Sequence, residues 1–257
     1  MLDKERIEAL FDLTDRVAIV TGGSRGIGQS IAQAFAAQGA AVVIASRKAE
    51  ACDIAAAEIN DAGGRALAVP CHVGDLDAVR ALVAATTDEF GRIDIVVNNA
   101  ANPLMQGVGE ITETAWEKAL ATNLRGPVFL VQEALDYLVA SGHGSVINVS
   151  SAGAHMFSTG HLLYPVAKAG LEAATRSMAG SLAVHNVRVN AMVPGTIDTA
   201  MVRAMPKTFQ ESAAKSSLIG RAAHPDELVG LALLLASDAG SFMTGHCYFC
   251  DGGMVAD

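Results

Sequence analysis

Arg16-Val17-Ala18-Ile19-Val20-Thr21-Gly22-Gly23-Ser24-Arg25-Gly26-Ile27-Gly28 runs from an apolar strand, through a glycine-rich loop, into a helical pattern. The strand at 16–20 shows no polar alternation, which predicts cover on both of its faces. The glycines allow a tight turn and a close approach of the main chain to a ligand. The helix behind them opens with unpaired N–H groups and a partial positive charge. A glycine loop alone is an ordinary turn. With a strand before it and a helix after it, the loop is a seat for a pyrophosphate. The expected contacts are Gly22, Ser24, Arg25, Gly26, Ile27 and Gly28.

Outward from this stretch the alternation repeats. Strands are expected at 16–20, 41–45, 66–71, 93–98, 145–149, 187–193 and 247–250. Helices are expected at 27–38, 50–61, 76–90, 112–140, up to 182, and at 225–236. Gly39, Gly63-Gly64 and Gly91 stop the first three helices, and Gly126-Pro127 interrupts the pattern of the fourth. Short, non-alternating apolar strands joined by helices predict a doubly wound parallel sheet. The expected fold class is thus α/β: a seven-stranded Rossmann-type sheet with helices on both faces. No linker or repeat divides the chain. Residues 1–13 read as an N-terminal helical extension and 14–257 as one catalytic domain.

Composition narrows the function. Of 257 residues, 51% are hydrophobic and 18% charged, which excludes a disordered chain. The net charge of −9 argues against a nucleic-acid binder. The longest uncharged apolar run, 228–236, falls short of a membrane span. The first 13 residues lack the apolar core of a signal peptide, so a cytoplasmic protein is expected. Cys52, Cys71, Cys247 and Cys250 form no disulfide framework. Cys247 and Cys250 have C-x-x-C spacing on a strand, where residues three apart point to opposite faces, and no metal site is expected.

The end of the second strand carries Ser46-Arg47-Lys48 and no acid. An acid there would take a ribose 2′-hydroxyl; Ser46 and Arg47, helped by Arg25, suit a 2′-phosphate. The alternative is that Arg47 and Lys48 are solvated loop charges. NADP(H) is favoured over NAD(H). Farther along, Tyr164 and Lys168 share one helix face. A nearby ammonium is expected to lower the tyrosine from its usual value of ~10 and fit it for acid–base work. Pro165 restricts the helix start to no earlier than about His161. Ser151 follows a buried strand, at the end of the sheet where ligands bind, and can hold a carbonyl or alcohol oxygen. Asn123, polar among apolar neighbours, needs a partner or a water if buried.

These features stand in one order: residues 21–28, Asn98-Asn99-Ala100-Ala101, Asn123, Ser151, Tyr164-x-x-x-Lys168, Arg188-Val189-Asn190 and Pro194-Gly195-Thr196-Ile197-Asp198-Thr199. Taken together the chain resembles the short-chain dehydrogenase/reductase family, over nearly its whole length. The resemblance implies an enzyme that moves a hydride between a nicotinamide and a carbonyl or alcohol. Tyr164 would be the general acid/base, and Ser151 would orient the substrate oxygen. Lys168 would lower the Tyr164 pKa and bind the nicotinamide ribose. Asn123 would hold a water in a relay with Lys168. Pro194, Gly195, Ile197 and Thr199 would line the nicotinamide end, and Asn99 and Ala100 the adenosine side. The resemblance also implies a homotetramer, or a dimer, pairing the two long helices and the last strand.

Two positions depart from the family pattern. Ala101 stands where a glycine is usual, which is tolerable unless its φ is positive. His72 stands where an Asp usually touches the adenine, before Val73. His72 can hydrogen-bond or stack there, or serve the fold alone. Segments 102–107, 152–163 and 196–217 should border the substrate, the last as a mobile lid. They carry Leu104, Met105, Met156, Phe157, Leu163, Met201 and Met205, which favours a hydrophobic small-molecule carbonyl or alcohol. Arg203 and Lys207 could instead meet an acyl-carrier phosphate, and a 3-oxoacyl-thioester reductase is the alternative, as is an NAD-linked alcohol dehydrogenase.

Overall fold

A computed structural model of the chain describes residues 3–104, 106–157 and 160–256. The first helix, α1 (Lys4–Ala9), is capped by the Asp3 carboxylate and buries none of its residues. The chain enters the core at Leu13, which is fully buried. Then come β1 (Val17–Thr21), α2 (Gly26–Ala37), β2 (Ala41–Ser46), α3 (Ala49–Asp61), β3 (Arg65–Pro70), α4 (Leu76–Phe90) and β4 (Ile95–Asn98). The second half begins with α5 (Glu113–Leu120), a π turn (Ala121–Arg125), α6 (Gly126–Glu133), α7 (Leu135–Ala140) and β5 (Ser145–Val149). A 3-10 turn (Ala152–His155), α8 (Leu163–Leu182) and β6 (Arg188–Pro194) follow. Two short helices, α9 (Ala200–Arg203) and α10 (Lys207–Lys215), precede α11 (Val229–Ala236) and β7 (Cys247–Cys250).

The seven strands form one sheet in the order β3-β2-β1-β4-β5-β6-β7, with every pair parallel. Alternate residues of each inner strand feed two cores. Ala18, Val42, Ile95 and Ile147 face Ile31 and Phe35 of α2, Ile59 of α3 and Leu235 of α11. Ile19, Val43, Val96 and Val146 face Leu82 of α4, Leu130 of α6 and Leu138 of α7. This two-sided burial is why the inner strands read as unbroken apolar runs. Only β3 and β7, at the edges, are partly open.

The helical stretch 112–140 differs from expectation. Gly126-Pro127 does not break it. Gly126 is helical, at φ −55° and ψ −53°, and the irregularity is the π turn just before it. Pro127 has no N–H to donate, and one extra residue in the preceding turn absorbs the missing bond. Gly126 is required at this joint because a Cβ would collide with the Val73 carbonyl. A second break falls at Ala134, between α6 and α7. Pro165 lies in the first turn of α8, as its chemistry demands.

Candidate active site

All parallel strands end on one side, and there a cleft of about 1310 Å³ opens. The glycine loop forms one wall. Gly22 and Gly26 have φ of +65° and +57°, conformations that disfavour any side chain. At Gly28 a Cβ would strike the Gly22 carbonyl and the Asn99 amide. No side chain caps α2, and no acid sits in its first turn, so its N–H groups are left for a ligand. The cradle fits a dinucleotide pyrophosphate: its walls are backbone, and the positions nearest the ligand have no room for a side chain.

The loop is held in place from β4. Thr21 donates its hydroxyl to the Val97 carbonyl (3.1 Å) and accepts from the backbone N–H of Asn99 (3.0 Å) and Ala100 (3.1 Å). The Asn99 side chain donates to the Thr21 carbonyl at 2.9 Å. Asn99 therefore holds the loop as well as lining the cleft. Ala101 is not among the residues with positive φ, so its methyl group is unstrained.

At the end of β2, Ser24 donates to Ser46 at 2.8 Å. Arg25, Arg47 and Lys48 line the same end of the cleft, exposed, and none forms an ion pair among the described residues. His72 is exposed at the cleft and its Nδ1 accepts from Gly74 N–H at 3.0 Å, so the ring also shapes its own turn. Val73 is buried beside it. Opposite, Pro194 at the end of β6 and then Gly195, Ile197 and Thr199 run along the cleft. A Cβ on Gly195 would lie 2.7 Å from the Asp251 carbonyl, and one on Gly26 would lie 3.2 Å from the Thr199 methyl.

Ser151 and Tyr164 meet in the middle. Ser151 Oγ accepts from Gly153 N–H at 3.1 Å, and Ser151 and Tyr164 line the cleft together. Lys168, one turn further along α8, is buried, and its Nζ donates to the Val149 carbonyl at 2.6 Å. Nζ lies 5.6 Å from the centre of the Tyr164 ring. The expected lowering of Tyr164 by Lys168 is not found. Burial pushes the phenol up to about 12, and the Ser151 side chain acts against this. Burial likewise brings Lys168 down to about 8, opposed by the charge of Glu172. The reason is desolvation: a lysine turned to a carbonyl inside the protein cannot offset the loss of water around the phenol.

Asn123 is fully buried in the π turn. Its Nδ2 donates to the carbonyls of Asn102 and Ala119, both at 2.9 Å, and its Oδ1 accepts from Asn102 N–H at 3.0 Å. Both amide hydrogens are spent on the backbone, so the expected water would have only an oxygen lone pair. The partner, Asn102, lies 21 residues away and was not legible in the spacing.

Toward the substrate end, Leu104, Met156, Phe157, Met201 and Met205 line the cleft, joined by Met254 near the carboxyl terminus. Leu163 does not; it is buried against Ala115 and Ala119, because the first turn of α8 packs on α5. Met105 lies outside the described residues, as do Ser158 and Thr159 of the same border. Arg203 is engaged by Asp198 at 2.9 Å. Among the described residues no group of His, Cys, Asp and Glu could hold a metal ion. Among the described residues no helix is long and apolar enough to cross a membrane.

A model for the family described as enoyl-(acyl carrier protein) reductase matches residues 22–255. The chain belongs to the short-chain dehydrogenase/reductase family, oxidoreductases of alcohols and carbonyl compounds that use a nicotinamide cofactor. It is 39% identical to cis-4-hydroxycyclohexanecarboxylate dehydrogenase of Sinomonas cyclohexanicum, over 94% of this chain and 97% of that protein. It is 38% identical to galactitol 2-dehydrogenase of Agrobacterium fabrum, over 94% of this chain and 98% of that one. Among solved structures it matches a short-chain type dehydrogenase/reductase from Mycobacterium marinum with a TM-score of 0.92, at 35% identity, covering 96% of this chain and 98% of the other.

Proposed function

We propose that the protein is an NADP(H)-linked oxidoreductase that interconverts an apolar secondary alcohol and its ketone, with Tyr164 as general acid/base. The observation that carries this reading is the meeting of Ser151, Tyr164 and Lys168 in one cleft with an uncapped helix and its glycine cradle. The nicotinamide supplies or accepts the hydride when bound. Ser151 donates to the substrate oxygen and fixes its distance from the phenol. In reduction Tyr164 gives its proton to that oxygen; in oxidation it takes one. A phenol held near 12 is a weak acid when the cleft is open. An alkoxide forming beside it in reduction is the stronger base, so the proton passes to the substrate. Lys168 positions the ribose and, while charged, opposes but does not overcome the burial that holds the phenol up. Residues 196–217, folded as α9 and α10, act as a lid that excludes water.

The 2′-phosphate reading rests on Arg25, Arg47 and Lys48, exposed cations with no carboxylate among residues 46–48. The apolar substrate reading rests on Leu104, Met156, Met201 and Met205. Exposed Trp116 on α5, Val166 on α8 and Phe242 before β7 support a homotetramer, with a dimer as the smaller form; we place it in the cytoplasm. Titration with NADPH and NADH, followed by Trp116 and cofactor fluorescence, tests the cofactor. NADPH is expected to bind at least about tenfold more tightly, worth about 1.4 kcal/mol. Arg47→Asp should weaken NADPH binding far more than NADH binding, and equal losses would remove the 2′-phosphate assignment.

A further inference from the structure

Tyr164, Lys168, Glu172 and Arg176 follow one another at four-residue intervals along α8, so they form one stripe. The stripe runs from the cleft, through two buried residues, to an exposed one. Glu172 is the group that the acid–base chemistry leaves unused. A carboxylate buried to 4% exposure is costly unless it is fully hydrogen-bonded. Here it is clamped from two elements. Ser150, after β5, donates its hydroxyl to Oε1 at 2.5 Å. His155, on the 3-10 turn, sets Nε2 at 3.0 Å from Oε1 and 2.9 Å from Oε2, with its ring against Phe249. Cys247 of β7 stands close enough to Glu172 for the carboxylate charge to push its thiol up. Ser150 and His155 flank Ser151 in sequence, so the carboxylate grips both sides of the segment that carries it.

We infer that Glu172 is a positioning residue for the reaction: clamped by Ser150 and His155 one turn beyond Lys168, it keeps the Lys168 ammonium charged inside the protein and fixes the Ser151 segment. This rests on the acid–base reading proposed above. Glu172 is the charge that acts on Lys168; the other titratable groups around this pair are Tyr164 on the same helix, His155 from the 3-10 turn and Cys247 from β7, with Arg176 exposed a turn beyond. Burial strips the ammonium of water, and the carboxylate supplies the opposing field. A glutamine at 172 keeps the shape and an acceptor for Ser150 but removes the charge.

The test is a ¹³C NMR titration of lysine side chains in the full chain, labelled at Cε, without substrate or cofactor. Lys168 is assigned by the signal lost in Lys168→Met. In Glu172→Gln the Lys168 midpoint is expected to fall by about one unit or more, a tenfold change in proton affinity. If Glu172→Gln fails to fold, Glu172→Met serves, since it too removes the charge. An unchanged midpoint in a folded variant overturns the inference. Because this readout needs no ligand, it stands apart from the cofactor and substrate assignments. With NADPH and a reducible ketone from a panel, the same variant should lose activity at a lower pH on the alkaline limb, through kcat, with KM for NADPH within about twofold. A pH profile that superimposes on the parent would also overturn the inference.

Discussion

Tyr164 is the residue on which the proposed chemistry turns. Tyr164→Phe should lower kcat by at least about a hundredfold, the scale of general acid–base catalysis, while the fluorescence-measured NADPH affinity stays within about threefold. Near-normal turnover would mean that the proton comes from elsewhere. Asn123 makes a different kind of prediction. Asn123→Ala leaves the N–H and carbonyl of half-buried Asn102 without their partner, at about 1 kcal/mol each, the low end for such groups. Urea unfolding should therefore show a loss of about 2 kcal/mol, before any effect on catalysis is considered. At this scale the sequence identified the chemical groups but not their surroundings. Ser151, Tyr164 and Lys168 stand together as their spacing implied. The electrostatics do not follow from spacing, because desolvation depends on what β5 and α8 bury around the pair. The roles of Thr21, Asn99 and Asn102 as staples were invisible for a similar reason: their partners are distant in the chain.

Among the elements, strands were the most legible. β5 and β7 fall where their apolar runs lie, and α4 spans its expected 15 residues, ended by Gly91 in the left-handed region. Buried parallel strands and glycine stops are local signals, so local reading finds them. The π turn is not local. It exists because Gly126 docks on the Val73 carbonyl and Pro127 cannot donate a hydrogen bond, and only the packed structure joins those two facts. Gly126→Ala is therefore expected to be severe: a methyl group meets backbone that cannot give way. Its melting temperature should drop by several degrees, about 2–4 °C for each kcal/mol lost. Gly180→Ala in α8, where nothing lies near the added carbon, should leave the melting temperature unchanged or slightly raised.

For the whole molecule, burial of Lys168 links folding to pH. Its pKa is about 8 when folded, against an ordinary 10.5. Between these values the unfolded chain binds more protons than the native one, so this group makes stability rise as pH rises from 8 to 10.5. Unfolding free energies of the parent and of Lys168→Met, measured across that window, should diverge in favour of the parent. The divergence should reach about 3 kcal/mol, at 1.36 kcal/mol per pKa unit. A constant difference would mean that Lys168 is not desolvated in solution. Strand order gives the molecule one further property, felt while it is being made. β1 is paired on one side by β2, which follows at once, but on the other by β4, which begins only at Ile95. A chain leaving the ribosome from its amino end completes β3-β2-β1 while the far edge of β1 is still open. Val17 to Thr21 is entirely apolar but for its last residue, and an open edge of that kind pairs with any passing strand. The nascent protein is therefore most in need of a chaperone in the interval between the third strand and the fourth.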